Sequence, residues 1–184
     1  DDEFMNNLES KEPRALKLWG EILKSRLETG EPYIMYKDNV NNNNPEGYKK
    51  LGLQVTTTNI CSEISLYTDE LHSFICCLSS LNISRWDEWK NYTFENGMTL
   101  PEVACWFLEG VLQEFIDRAK NIKFMENTVR SAIKGRAIGI GVLGWHTYLQ
   151  SKNIPFVSIQ ANALTNIIFK FIQENALKAS REQA

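Results

Sequence analysis

At 184 residues the chain fits one domain or part of a larger one, and 43% hydrophobic against 23% charged side chains is the composition of a globular protein rather than a disordered one. Its 20 basic and 23 acidic side chains leave a net charge of -3, which excludes a chain-wide nucleic-acid surface and makes Lys49-Lys50 a solvated pair. No apolar run reaches the length of a membrane span and the acidic start Asp1-Asp2-Glu3 carries no signal-peptide pattern, so a cytoplasmic location is expected. The missing initiator Met suggests a start inside a longer reading frame or after processing.

Residues 12–29 read as an amphipathic helix: Leu16, Trp19, Leu23 and Leu27 recur at three- and four-residue steps, Pro13 suits the first turn, and Gly30 with Pro32 supplies the stop. Asp38 to Gly47, with Asn41-Asn42-Asn43-Asn44-Pro45, reads as a polar loop and the best candidate for a mobile or exposed segment. Residues 53–60, with Val55 and Thr56 to Thr58, have extended-chain composition. In 74–83 one alternating face holds Phe74, Cys76, Leu78 and Ser80 and the other Ile75, Cys77, Ser79 and Leu81. Two uncharged faces predict a strand in a sheet covered on both sides, a parallel one, and so an α/β architecture. Residues 101–120 predict a helix opened by Pro101 and Glu102, with Val103, Phe107, Val111, Phe115 and Ala119 on its apolar face. Helix and strand are not separable by pattern in 126–151, where glycines crowd 135–144. A helix over 159–182, bearing Leu164, Ile168, Phe171 and Leu177, closes the chain; there is no internal repeat.

Four cysteines, Cys61, Cys76, Cys77 and Cys105, match neither zinc spacing nor a Cys-x-x-Cys pair, so thiols are expected rather than a disulfide framework. Around Cys61, Asn59 and Glu63 stand two residues away on either side; an extended segment would project all three side chains to one side. A thiol, an amide and a carboxylate would then share a surface, although a lone cysteine is more often a small packing residue. Cys76 and Cys77 would point to opposite faces of a strand, either as two core thiols or with one serving a redox couple. Cys105, on the apolar side of its helix, reads as core. Gly139, Gly141 and Gly144 fit the spacing of a dinucleotide loop, but Lys134 and Arg136 interrupt the apolar strand that should precede it, which favours close backbone packing. His72 and His146 are the only histidines and no acid stands at ligand spacing to both, so no metal site is expected.

The order Asn-x-Cys-x-Glu at 59–63, then Cys76-Cys77-Leu78-Ser79, resembles the large subunit of class I (aerobic) ribonucleotide reductases. The flanks Thr29-Gly-Glu-Pro-Tyr-Ile-Met-Tyr-Lys-Asp38 and Arg136-Ala-Ile-Gly-Ile-Gly-Val-Leu-Gly144 fit the same family, in register over nearly all 184 residues. The resemblance implies a helix-rich fragment of that family's ten-stranded α/β barrel with its central radical-cysteine loop, residues 1–184 forming one incomplete domain. It implies Cys61 as the thiyl-radical cysteine that abstracts the 3′ hydrogen of a ribonucleotide, Glu63 as acceptor of the 3′-hydroxyl proton, and Asn59 as an amide bonding the ribose hydroxyls. Cys76 becomes one member of the reducing cysteine pair, and Cys77 is left to packing. A thiyl radical calls for a closed cavity. No cofactor is expected on this chain: the radical would come from a metal-containing small subunit and the reducing equivalents from an external thioredoxin- or glutaredoxin-type protein. The expected partners are complementary large-subunit segments, that small subunit and the ribonucleotide substrate, with no nucleic acid and no membrane. The other redox cysteine, the radical-relay tyrosines and the allosteric region are not in these residues, so the chain is expected to be inactive alone, as a split or truncated subunit. The alternative is a non-catalytic structural or assembly fragment of the same fold. Abundant Asn and Lys suggest a viral, phage-borne version, placed in the host cytoplasm.

Overall fold

The computed structural model describes residues 1–184, which fall into two units, Asp1–Phe74 and Ile75–Ala184. In the first, α1 (Asp2–Glu9) starts where the Asp1 carboxylate accepts from the Phe4 N–H at 2.9 Å, with Asp2 and Glu3 in the favourable first turn. This helix is not apparent from hydrophobic period, since none of its residues is buried. α2 (Pro13–Thr29) follows the sequence reading: the Glu12 carboxylate accepts from the N–H groups of Arg14 and Ala15 at 3.0 and 2.6 Å, and Gly30 ends the helix at φ +83°. Its expected apolar stripe is largely solvated, with Leu27 90% exposed and only Ala15 buried. The Phe4 and Trp19 rings meet at 6.2 Å and join α1 to α2.

The asparagine tract departs from expectation. It forms α3 (Lys37–Asn42) and α4 (Glu46–Leu51), separated by Asn43 to Pro45 and ended by Gly52 in the left-handed region at φ +66°. Asn44 is buried and Asn41 half-buried, so the segment is anchored rather than loose. Side-chain amides offer the backbone both a donor and an acceptor, and Asn41 uses both.

In the second unit β1 (Cys77–Asn82) runs parallel to β2 (Ile138–Leu143), Cys77 opposite Ile138 and Asn82 opposite Leu143. Parallel pairing needs a long crossover, supplied by a 3₁₀ turn (Ile83–Arg85), α5 (Trp86–Trp89), α6 (Leu100–Ala119) and α7 (Glu126–Gly135). α8 (Trp145–Ser151) and α9 (Ile159–Gln183) follow. The α/β expectation holds, and the parallel sheet remains open at two strands. Coverage of both faces does not hold: Cys77, Ser79 and Leu81 are turned inward, whereas Leu78, Ser80 and Asn82 are exposed. Within the second unit α6 packs against both strands, and Leu78 on the opposite face is exposed.

One core joins Leu81, Ile83, Trp86, Trp89, Tyr148, Ile168 and Ile172, with the rings of Trp86 and Trp89 edge-on at 4.7 Å. A second cluster of Leu112, Ile116 and Ala132 carries Ile75, Cys77, Phe115 and Ile138 at its border. α6 is apolar on more than one side, and the expected face meets the core only in part, at Phe115 and Ala119. Cys105, Leu108, Leu112, Ile116 and Ala119 are buried, while Phe107 and Val111 face solvent. Strict steps of four overshoot each turn by about 40°, so the row from Val103 through Phe107 and Val111 reaches the core only at Phe115 and Ala119; mixed steps of three and four stay on it. The Glu102 carboxylate, 2% exposed, closes the start of α6 by accepting from the Thr99 N–H at 2.6 Å and reaches Lys178 of α9 at 2.6 Å. No helix is long and apolar enough to cross a membrane.

Candidate active site

Cys61 sits at the tip of a turn in the first unit, and the turn is closed by side chains. On the incoming arm, the Asn41 amide oxygen accepts from the Val55 N–H at 2.8 Å and its NH₂ donates to the Val55 carbonyl at 2.9 Å. Val55 is fully buried, and both its backbone groups are thereby satisfied. The Thr56 and Thr68 hydroxyls meet at 2.6 Å across the arms. Nearer the tip, the Thr58 hydroxyl donates to the Ile64 carbonyl at 2.7 Å and the Asn59 amide oxygen accepts from the Ile64 N–H at 3.0 Å. The Ser62 N–H then donates to the Asn59 carbonyl at 3.0 Å, with Ser62 in the left-handed region at φ +65°.

That turn overturns the expectation that Asn59, Cys61 and Glu63 alternate along an extended segment, because alternation does not survive a four-residue turn, Asn59 to Ser62, whose last residue has positive φ. The three share one turn but no hollow. Cys61 and Ser62 line a cavity of about 590 Å³ with Trp19, Leu23, Arg26, Tyr33 and Tyr36, whereas Asn59 lines one of about 380 Å³ with Glu31, Tyr33 and Thr56 to Thr58. Glu63 is exposed and lines neither. Cys61 is also exposed, so these 184 residues do not provide the closed cavity expected around it. At the end of the return arm, His72 is buried and its Nδ1 lies 2.8 and 3.0 Å from the Asp69 carboxylate oxygens, a bond that holds the Asp69 carboxyl below its usual range. No three His, Cys, Asp or Glu side chains gather as metal ligands.

Cys76 belongs to the second unit, one residue ahead of β1. A Cβ built on Gly139 would collide with the Leu78 side chain and come within 3.7 Å of the Cys76 sulfur, which places Cys76 over β2 on the Leu78 side. Cys77 takes the opposite face, against the Leu112 cluster, where burial pushes its thiol pKa up. Gly139 and Gly141 therefore belong to strand β2, where Gly139 is small enough to pass beneath Leu78 and Cys76, and Gly144 joins the strand to α8 at φ +78°. Cys105 is buried, as expected of a core residue, and its sulfur reaches Gln183 at 3.6 Å.

Residues 2–184 match the family profile described as "Ribonucleotide reductase, barrel domain". The chain belongs to this family. It is 42% identical to the ribonucleoside-diphosphate reductase large subunit of Invertebrate iridescent virus 3, across 92% of this chain and 26% of that protein. Against the large subunit of Arabidopsis thaliana the identity is 32%, across 93% of this chain and 22% of the relative. Among solved structures, the class Id ribonucleotide reductase alpha subunit of Actinobacillus ureae superposes with a TM-score of 0.84 at 42% identity, covering 99% of this chain and 34% of that one. The chain thus spans about a quarter of the curated relatives it matches. The open sheet accords with a part of the reductase barrel domain.

Several residues of this reductase segment escaped sequence reading. Tyr33 and Tyr36 lie in the 29–38 stretch that carried the family resemblance, but nothing in their spacing predicted that they would wall the Cys61 hollow beside Trp19 and Arg26. Asn41 and Thr58, which fix the two arms of the turn, carry no motif at all.

Proposed function

We propose that this chain supplies the radical-cysteine loop of a ribonucleoside-diphosphate reductase and works in the reduction of ribonucleotides to deoxyribonucleotides. The observation that carries this reading is Cys61 at the tip of a side-chain-closed turn, in a chain matched to the reductase barrel over residues 2–184. Cys61 as a thiyl radical takes the hydrogen from C3′ of the substrate and later returns it. Glu63 accepts the 3′-hydroxyl proton while the 2′-hydroxyl departs as water, and the NH₂ of Asn59 bonds the ribose hydroxyls. The proton for the departing water and the two electrons come from a dithiol that closes to a disulfide, Cys76 being one of its members. Cys77 is committed to packing and Cys105 is buried, so the second thiol is assigned to another segment of the enzyme.

The radical originates in a separate metal-containing small subunit, and a thioredoxin- or glutaredoxin-type protein reopens the disulfide. Activity requires assembly with the remaining large-subunit segments. Support for this comes from the exposed Cys61, the exposed Leu78 and the solvated Trp106, Phe107 and Val111 on α6, which an assembled enzyme would cover. A location in the cytoplasm, or in the host's if the source is viral, follows from this activity. The Asn- and Lys-rich composition supports a phage-borne source.

The decisive experiment combines the chain with complementary large-subunit segments and the radical-generating subunit, then assays reduction of a ribonucleoside diphosphate. Cys61→Ser should bring turnover to background, because an alcohol does not replace a thiol as hydrogen carrier. Undiminished turnover by that variant would remove the assignment, and no turnover by any assembled wild-type enzyme would leave the structural-fragment alternative.

A further inference from the structure

From the bonds that close the Cys61 turn we infer that Thr58 is a positioning residue for the radical thiol, acting with the amide oxygen of Asn59 to fix the outgoing arm. The inference rests on the assignment of Cys61 as the hydrogen-abstracting group. Ile64 is the first residue beyond the Asn-x-Cys-x-Glu segment, and both its backbone groups are bonded by side chains from the opposite arm. The Thr58 hydroxyl donates to its carbonyl at 2.7 Å, and the Asn59 amide oxygen accepts from its N–H at 3.0 Å. A strand ladder would do this with backbone groups, but residues 53–67 form no regular strand. The only backbone bond inside the turn is Ser62 N–H to the Asn59 carbonyl, at 3.0 Å, with Ser62 in the sparsely populated left-handed region.

The chemistry makes such a clamp matter. Hydrogen abstraction requires the sulfur within contact distance of one carbon–hydrogen bond, and a misplacement of about 1 Å can cost about 100-fold in rate. Cys61 is exposed on its own unit, so within these residues its position is set through the backbone of the turn. Thr58 is half-buried, and its hydroxyl is spent on Ile64, with a longer 3.3 Å approach to the Asn59 amide oxygen. That amide oxygen is likewise occupied by Ile64, which leaves the Asn59 NH₂ as the part of this side chain available to a ribose hydroxyl. One side chain would then both shape the turn and meet the substrate, with Thr58 holding it in register.

Thr58→Val keeps the shape and removes the hydroxyl, while Thr58→Ser keeps the hydroxyl. Two measurements separate this inference from the catalytic reading beneath it. In the 184-residue chain, amide exchange at Ser62 and Ile64 should quicken about twofold to tenfold in Thr58→Val, as for loss of one net hydrogen bond, and return to the wild-type rate in Thr58→Ser. In the assembled enzyme, Thr58→Val should lower kcat by about tenfold to 100-fold with the substrate KM unchanged, and Thr58→Ser should restore kcat. Unaltered exchange and unaltered kcat in Thr58→Val would overturn the inference, as would a rise in KM alone, which would make Thr58 a substrate contact. An assembled wild-type enzyme that does not turn over would defeat the catalytic reading, while the exchange rates would still decide whether the clamp exists.

Discussion

The two units are held together by different physics. Of the buried apolar residues, only Ala15 and Val55 belong to residues 1–74, while the second unit buries all the others, among them Ile83, Leu112, Leu149 and Ile168. Order in the first unit comes from side chains bonded to backbone: Asn41 to Val55, Thr58 and Asn59 to Ile64, and Ser25 and Arg26 to the 31–32 carbonyls at 2.9 and 2.7 Å. Apolar burial is non-directional and tolerates small shifts, whereas a hydrogen bond fixes both distance and angle. A loop that must present one sulfur to one carbon–hydrogen bond gains from point attachments that leave its tip uncovered. A scaffold that carries strands gains from bulk.

The largest stability effect should therefore fall in the second unit. Ile168 is fully buried between β1, α5 and α8 side chains, and Ile168→Ala should cost about 2–5 kcal/mol through lost transfer energy and the cavity left behind. Denaturant unfolding followed by tryptophan fluorescence reads this directly, since Trp86 and Trp89 belong to the same cluster. A loss under about 1 kcal/mol, below the range for such truncations, would break the contrast.

Next comes Asn41→Ala, which removes two hydrogen bonds from the backbone of the fully buried Val55 at about 0.5–1.5 kcal/mol net for each. Its signature is local: the Val55 amide should exchange faster while amides of α6 and α9 keep their protection. Global loosening instead would mean that the two units are not separately held.

This contrast also explains what was legible in the sequence. Apolar periodicity located α2, the β1 region and α9, and the two-faced composition of 74–83 pointed correctly to parallel pairing. It placed the buried face of α6 only in part, since that helix has apolar residues on more than one side and which of them are buried depends on the neighbours. The asparagine tract read as a loop because propensity says nothing of a side chain that bonds a backbone fourteen residues away. The Asn-x-Cys-x-Glu segment pointed to the site through its family likeness, but its geometry did not follow, since local alternation cannot anticipate a positive φ at Ser62.

The smallest effect sharpens the comparison from the other side, because the second unit also has a polar tie. The Asp87 carboxylate of α5 receives Lys152 and Lys90, each at 2.6 Å, with the Tyr148 hydroxyl at 3.4 Å. Hydrogen bonds from Lys152 first and Lys90 second lower its pKa from 3.8 to about 2. A carboxyl with a depressed folded-state pKa binds fewer protons folded than unfolded near these values. Its contribution is therefore present above pH 3.8 and is lost as pH falls towards about 2. The Asp87 side chain is 40% exposed, so solvent screening holds this contribution below about 1 kcal/mol. Asp87→Asn should flatten the acid limb of the stability curve between those two pH values and leave neutral-pH stability within that margin, measured by denaturant titration across the range. A cost at neutral pH equal to that of Ile168→Ala would mean that ion pairing, not apolar burial, holds the second unit, and the division between the two would have to be redrawn.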